Sequence, residues 1–124
     1  MNRALKMEPN ADHPITVEPN LRRVRVRFNG KVVADTRRAL SLAEASYPPV
    51  QYIPRADVDM SAFVATDHQT HCPYKGDASY FTLEVDGARA ANAVWSYVEP
   101  YPAVASIKDH LAFYPSRVDS IEES

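Results

Sequence analysis

The sequence predicts a mainly antiparallel β domain with short helices at its corners. Three observations carry that expectation. The alternating run Arg22-Arg23-Val24-Arg25-Val26-Arg27-Phe28 leads into Asn29-Gly30. The run Ser79-Tyr80-Phe81-Thr82-Leu83-Glu84-Val85 leads into Asp86-Gly87. Both dipeptides accept the positive φ angles of a two-residue hairpin turn. Finally, ten prolines stand against three glycines in 124 residues. Proline interrupts helices and central strands, so the elements should be short.

Residues 1–14 are polar, contain Pro9 and Pro14, and show no period, so they read as a flexible N-terminal arm. A single β domain follows over 15–119, and 120–124 read as an acidic tail. Residues 15–18 form a candidate strand. In the first hairpin the turn sets Val26 opposite Val33 and Val24 opposite Asp35. Val24, Val26, Phe28 and Val33 then face the core, and Arg23, Arg25 and Arg27 face water. Asp35 falls on the core side, an odd place for a carboxylate. Residues 39–44 form the next candidate strand, with Glu44 following Leu40 and Leu42 onto the inner face. Residues 50–53 form another. Residues 57–63 suit a short helix with Asp57 as its N-cap.

In the second hairpin Phe81, Leu83 and Val85 share one face, and Glu84 lies opposite Arg89. Carried on without a bulge, that register sets Tyr80 opposite Ala93, Ala78 opposite Trp95 and Gly76 opposite Tyr97. Tyr80, Trp95 and Tyr97 then share the face away from Phe81, and small residues beneath large rings leave a slot. One helical turn over 103–109 and a strand over 110–114 complete the domain.

The bulk numbers exclude several classes. Net charge is −2, so no global field draws nucleic acid or an anionic membrane. No apolar run is long enough to cross a bilayer. The first residues lack the apolar core of a signal peptide, and the cytoplasm is the expected compartment. One cysteine forms no internal disulfide and no cysteine-rich zinc site. No signature for NAD, flavin or haem is present, so no cofactor is expected.

The densest chemistry lies in Cys72-Pro73-Tyr74-Lys75-Gly76-Asp77-Ala78-Ser79-Tyr80. Thiol, amine and phenol crowd beside a rigid turn. Cys72, next to His71, is a candidate nucleophile, or else a small buried hydrophobe. His68, His71 and Cys72 offer metal-ligand atoms, but a fourth ligand would have to come from afar, and no metal is expected. Lys75 suits an anion, or a buried ion pair with Asp35, Glu44 or Asp77. Arg55 has the geometry of an anion clamp. Tyr52, Tyr80, Trp95 and Tyr97 suit an aromatic pocket or plain core packing.

Five segments in order resemble one family. They are Gly30-Lys31-Val32-Val33-Ala34-Asp35-Thr36, Tyr52-Ile53-Pro54-Arg55-Ala56-Asp57-Val58, the Cys72 to Tyr80 stretch, Trp95-Ser96-Tyr97-Val98-Glu99-Pro100 and Ala112-Phe113-Tyr114-Pro115. Together they resemble the domain of unknown function 427 family, which carries a nucleotidyltransferase-like label. The resemblance implies a tent of two small antiparallel sheets meeting at an angle, similar to the Mss4-like architecture. Relatives of that architecture hold zinc through two cysteine pairs, which a chain with only Cys72 cannot do. No Gly-rich phosphate loop accompanies the transferase label here.

These readings converge on a small domain binding a small anionic or nucleotide-like ligand. Tyr52, Arg55, Lys75, Trp95 and Tyr97 are the expected binding residues. Cys72, Lys75 and Tyr80 are the groups that would carry any nucleophile or proton chemistry. The alternative is a non-catalytic interaction module that works through a surface or a homodimer.

Overall fold

A computed structural model of the chain describes residues 5–124. Ten strands follow in order: β1 (Ile15–Pro19), β2 (Val24–Phe28), β3 (Lys31–Thr36), β4 (Leu40–Glu44), β5 (Val50–Tyr52), β6 (Phe63–Cys72), β7 (Gly76–Val85), β8 (Ala88–Tyr97), β9 (Ala112–Phe113) and β10 (Ser120–Glu123). The helical segments are short 3₁₀ turns. The mainly β class is therefore as expected. Three antiparallel sheets form, where the resemblance implies two: β1-β4-β5, β10-β2-β3 and β6-β7-β8-β9.

The four-stranded sheet is buried on both faces, because β7 and β8 alternate between two apolar clusters. Phe81, Leu83, Val85 and Val94 join Val24, Val26 and Val33 of the β10-β2-β3 sheet. Ala78, Tyr80, Trp95 and Tyr97 join Leu42 and Tyr52 of the β1-β4-β5 sheet. Val104 and Ile107, from the 3₁₀ segment Pro102–Ile107, close the second cluster.

Two registers depart from the simple hairpins. The Asn29-Gly30 turn forms with both φ angles positive. The pairing then slips by one residue after Arg27. Val26 pairs with Ala34, Arg25 with Asp35 and Val24 with Thr36. One extra residue reverses the side on which everything beyond it faces. Asp35 therefore turns to solvent, where Arg23 Nη2 meets it at 2.6 Å, and Thr36 takes the inward place at 3% exposure. The bulge resolves the misplaced carboxylate, since burying an unpaired charge costs far more than breaking one step of the ladder.

In the second hairpin Glu84 pairs with Arg89, and an ion pair joins them at 3.1 Å. Beyond Leu83 the pairing slips by two residues, so Tyr80 lies opposite Trp95 and Ala78 opposite Tyr97. The expected partners Ala93, Trp95 and Tyr97 each move one place along the face. Two is an even number, so the face is kept: Tyr80, Trp95 and Tyr97 remain on one side. Asn92 takes φ +50 at the bulge, and its N–H donates to Thr82 Oγ1 at 3.1 Å.

β6 is a strand that periodicity does not reveal. It lies at an edge, with most of its residues exposed, so no alternation marks it. It slips by two residues between Ala65 and Gln69. The two irregularities interlock, since Thr66 Oγ1 donates to Asn92 Oδ1 at 2.6 Å.

The residues expected as an acidic tail form β10 instead. Glu122 lies opposite Arg25 and accepts from Arg27 Nε at 3.0 Å, while Ile121 packs against the core. The arginines of β2 thus hold this acidic strand in place. The helix expected over 57–63 is two 3₁₀ turns, Arg55–Asp57 and Met60–Ala62. Its cap is Asp59, which accepts from the Ser61 N–H. Asp57 accepts from Thr36 Oγ1 at 2.7 Å and from Arg38. Of the expected arm, residues 1–4 lie outside the described residues. Further along, Met7 N–H donates to Pro73 O at 2.8 Å, and Ala45 N–H donates to Pro14 O at 2.8 Å. No helix among the described residues is long and apolar enough to cross a membrane.

Candidate ligand-binding cavity

The aromatic face of β7 and β8 meets β4 and β5 across a cavity of about 250 Å³. Glu44, Tyr52, Lys75, Tyr80, Trp95 and Tyr97 line it. Tyr47 and Tyr114, at 66% and 38% exposure, stand where it opens to solvent.

Lys75 reaches the wall because its turn is tightly built. β6 and β7 close over Pro73-Tyr74-Lys75, with Cys72 opposite Gly76. Gly76 sits at φ +115, and a Cβ there would lie 3.3 Å from Glu99 O. Only glycine combines that backbone with that approach. Tyr101 N–H donates to Lys75 O at 2.9 Å and holds the turn from outside.

Lys75 Nζ donates to Glu44 Oε1. The other oxygen of Glu44 meets His13 Nε2 at 2.7 Å. His13 is itself stacked flat on Tyr74, with ring centroids 3.9 Å apart and planes 6° from parallel. One carboxylate thus stands between a lysine and a histidine. Burial opposes the charge on Glu44, but the bonds from Lys75 and His13 outweigh it. Its pKa lies below the ordinary glutamate range.

The rings are tied by their polar ends. Trp95 Nε1 donates to Tyr52 Oη at 3.2 Å. The hydroxyl of Tyr80 is bonded to Thr70 Oγ1 at 2.9 Å and to Tyr114 Oη at 3.2 Å. Burial pushes the Tyr52 and Tyr97 pKa values well up, so both phenols stay protonated. Burial and the Tyr80 hydroxyl push Tyr114 up to about 12. Tyr97 is 5% exposed and lines the cavity. Among the described residues no buried side-chain polar atom lacks a partner, so its hydroxyl, which bonds no other side chain, opens to the cavity. Lys75 has three donor hydrogens, of which Glu44 takes one. Free donors therefore remain on two buried side chains of the wall.

Five of the expected site residues come together here: Tyr52, Lys75, Tyr80, Trp95 and Tyr97. Two do not. Cys72 is half-buried and packs against the second core cluster without lining the cavity. Arg55 lies on the Phe81 side of the sheet. Its Nε donates to Asp109 O at 2.9 Å, and its guanidinium sits 5.3 Å from the Phe81 ring centre. The histidines beside Cys72 have other partners: His71 meets Asp77 at 2.6 Å and Leu5 O at 2.7 Å, and the His68 ring meets the Tyr80 ring edge-on. Among the described residues no three His, Cys, Asp or Glu side chains stand together as a metal site. Sequence reasoning missed His13 and Tyr114. His13 lies in a stretch without period, and a lone histidine there carries no signal.

Fold and cavity together define a small antiparallel β domain with an aromatic cavity walled in part by the Lys75–Glu44 pair, with His13 bonded to Glu44 from outside the lining. A family model described as a domain of unknown function (DUF427) matches residues 16–124. The chain belongs to that family. No curated protein matches the sequence.

Proposed function

We propose that the domain binds a small anionic or nucleotide-like ligand in the cavity between β4, β5, β7 and β8. The observation that carries this reading is a pair of largely buried side chains, Lys75 and Tyr97, whose spare donor hydrogens open onto one space. Both present hydrogens, so the complementary group is an acceptor, and a carboxylate or phosphate oxygen serves best. Trp95, half-buried and held edge-to-face on the buried Tyr52 at 6.3 Å, offers surface to a planar or apolar part. Glu44 tempers the site. It balances the Lys75 charge, so an anion is recognised through the spare donor hydrogens of Lys75 and Tyr97. Any proton chemistry falls to Lys75 or Tyr80. The sheets meeting around the cavity suit the tent-like architecture, and one free cysteine suits a cytoplasmic setting.

A thermal-shift screen against nucleotides, sugar phosphates and small carboxylates tests the reading, because a ligand of the native state raises Tm by linkage. The expected result is a rise for an anionic class that is lost in Lys75→Met. No rise in any class, with Lys75→Met folded, overturns it.

A second reading rests on β6, a ten-residue edge strand with no partner on its outer side among the described residues. An unpaired edge can add a strand from another chain. The domain would then be a non-catalytic interaction or homodimer module, and light scattering on the purified protein would show a dimer.

A further inference from the structure

Trp95 walls more than the polar cavity. It also lines an apolar groove of about 520 Å³, together with Val26, Ile53, Phe113 and Ile121. Val50 borders both spaces. Two neighbouring pairs along the chain mark the partition. Pro48 faces the cavity and Pro49 the groove, while Tyr114 faces the cavity and Pro115 the groove. The two spaces therefore lie side by side across one indole ring. Their charge differs. The cavity wall carries Lys75 paired with Glu44, whereas the ionisable residue bordering the groove is the acid Glu123. An anion is repelled at the Glu123 end and meets a balanced ion pair with spare Lys75 donors at the other, so an amphipathic anion has one favoured direction across Trp95.

We propose that cavity and groove form one bipartite site for a small amphipathic carboxylate, with its head on Lys75 and Tyr97 and its aliphatic tail across Trp95 in the groove. This rests on the reading of the cavity as an anion site. The Tyr97 phenol stays protonated and donates, so the head group meets two donors. Each methylene entering the groove leaves water for contact with the accessible Pro49, Val50, Pro115 and Ile121, which overlie the buried Val26, Ile53 and Phe113.

Calorimetric titration of the full chain with hexanoate, octanoate and decanoate tests it. Affinity should rise about threefold to fourfold for each methylene that is fully buried, and octylamine should not bind. Ser120→Phe fills the groove at a half-buried position outside the cavity lining. It should flatten the chain-length dependence and leave hexanoate unchanged. Lys75→Met should weaken every member by the same factor, about tenfold. If that variant fails to fold, Tyr97→Phe, which removes one donor and keeps the ring, should weaken every member equally. Hexanoate binding with no gain on lengthening overturns the bipartite site and leaves the anion cavity standing. A length dependence that survives Ser120→Phe places the tail elsewhere and also overturns it. Failure of all three acids to bind overturns the bipartite site, and the anion cavity falls with it only if nucleotides, sugar phosphates and small carboxylates also leave Tm unchanged.

Discussion

Trp95 of β8 donates its indole N–H to the hydroxyl of Tyr52 of β5 at 3.2 Å, joining two sheets that share no ladder. The two rings stand 88° apart. This bond fixes the indole between the polar cavity and the apolar groove. Trp95→Phe keeps most of the apolar surface and removes the donor, leaving the buried Tyr52 hydroxyl short of a partner. The expected loss is about 1–2 kcal/mol, measured by urea unfolding. The companion Tyr52→Phe should restore part of it in the double variant, since both polar ends are then gone.

Lys75 and Glu44 are 11% and 15% exposed at their side chains. Removing the lysine leaves a carboxylate with His13 as its remaining partner. Lys75→Met should cost about 2–3 kcal/mol, less than a buried pair with no third member. Lys75→Met with Glu44→Gln should be more stable than Lys75→Met alone, because the uncompensated charge is gone. If the double variant is the less stable of the two, Glu44 is not left uncompensated and the account fails.

Gly76 and Gly30 separate two effects of glycine. Both have positive φ, but a Cβ at Gly30 meets nothing within 4 Å, while at Gly76 it meets Glu99 O. Gly30→Ala should cost about 1–2 kcal/mol, from left-handed backbone alone. Gly76→Ala should cost more, and it should also displace Lys75 from Glu44. Denaturation of the two variants side by side checks the order.

His71 gives a pH dependence with a definite sign. The Leu5 carbonyl and the Asp77 carboxylate both favour the imidazolium, so its pKa is raised. A raised pKa stabilises the folded form fully below the unfolded value, about 6.5. That stability is lost as pH rises through the higher folded value. The neutral ring donates from one nitrogen only, so one contact is given up. Hydrogen-exchange protection at residues 5–7, taken relative to the intrinsic exchange rate at each pH, should fall through that window in the wild type and stay level in His71→Asn.

Glu44 works in the other direction. Its lowered pKa stabilises the fold above the ordinary glutamate value and is lost as pH falls through the lower folded one. Acid unfolding of wild type should therefore be steeper than that of Glu44→Gln, as read by Trp95 fluorescence.

Much of the cavity was legible in the chain. Alternation assigned Tyr80, Trp95 and Tyr97 to one face, and Glu44 to an inner face with Leu40 and Leu42. The aromatic face survives because the β7–β8 slip is of two residues, and the β4 assignment survives because β4 pairs with β1 and β5 without a slip. The one-residue slip of β3 had the opposite result for Asp35, which an unbroken hairpin would have buried. Periodicity cannot count inserted residues. It also cannot see β6 or β10, whose places depend on what lies beside them.

The sequence by itself determined the class and the local pieces: two hairpin turns from Asn-Gly and Asp-Gly, short elements from proline, and an aromatic face from period-two spacing. Backbone sterics and side-chain alternation act over a few residues, so they can be read along the chain. The tertiary structure alone decided that Lys75 meets Glu44, that His13 completes the group from 31 residues away, and that Arg55 and Cys72 stand outside. Those outcomes depend on which surfaces are desolvated together, and a buried charge selects its partner only after the sheets have packed.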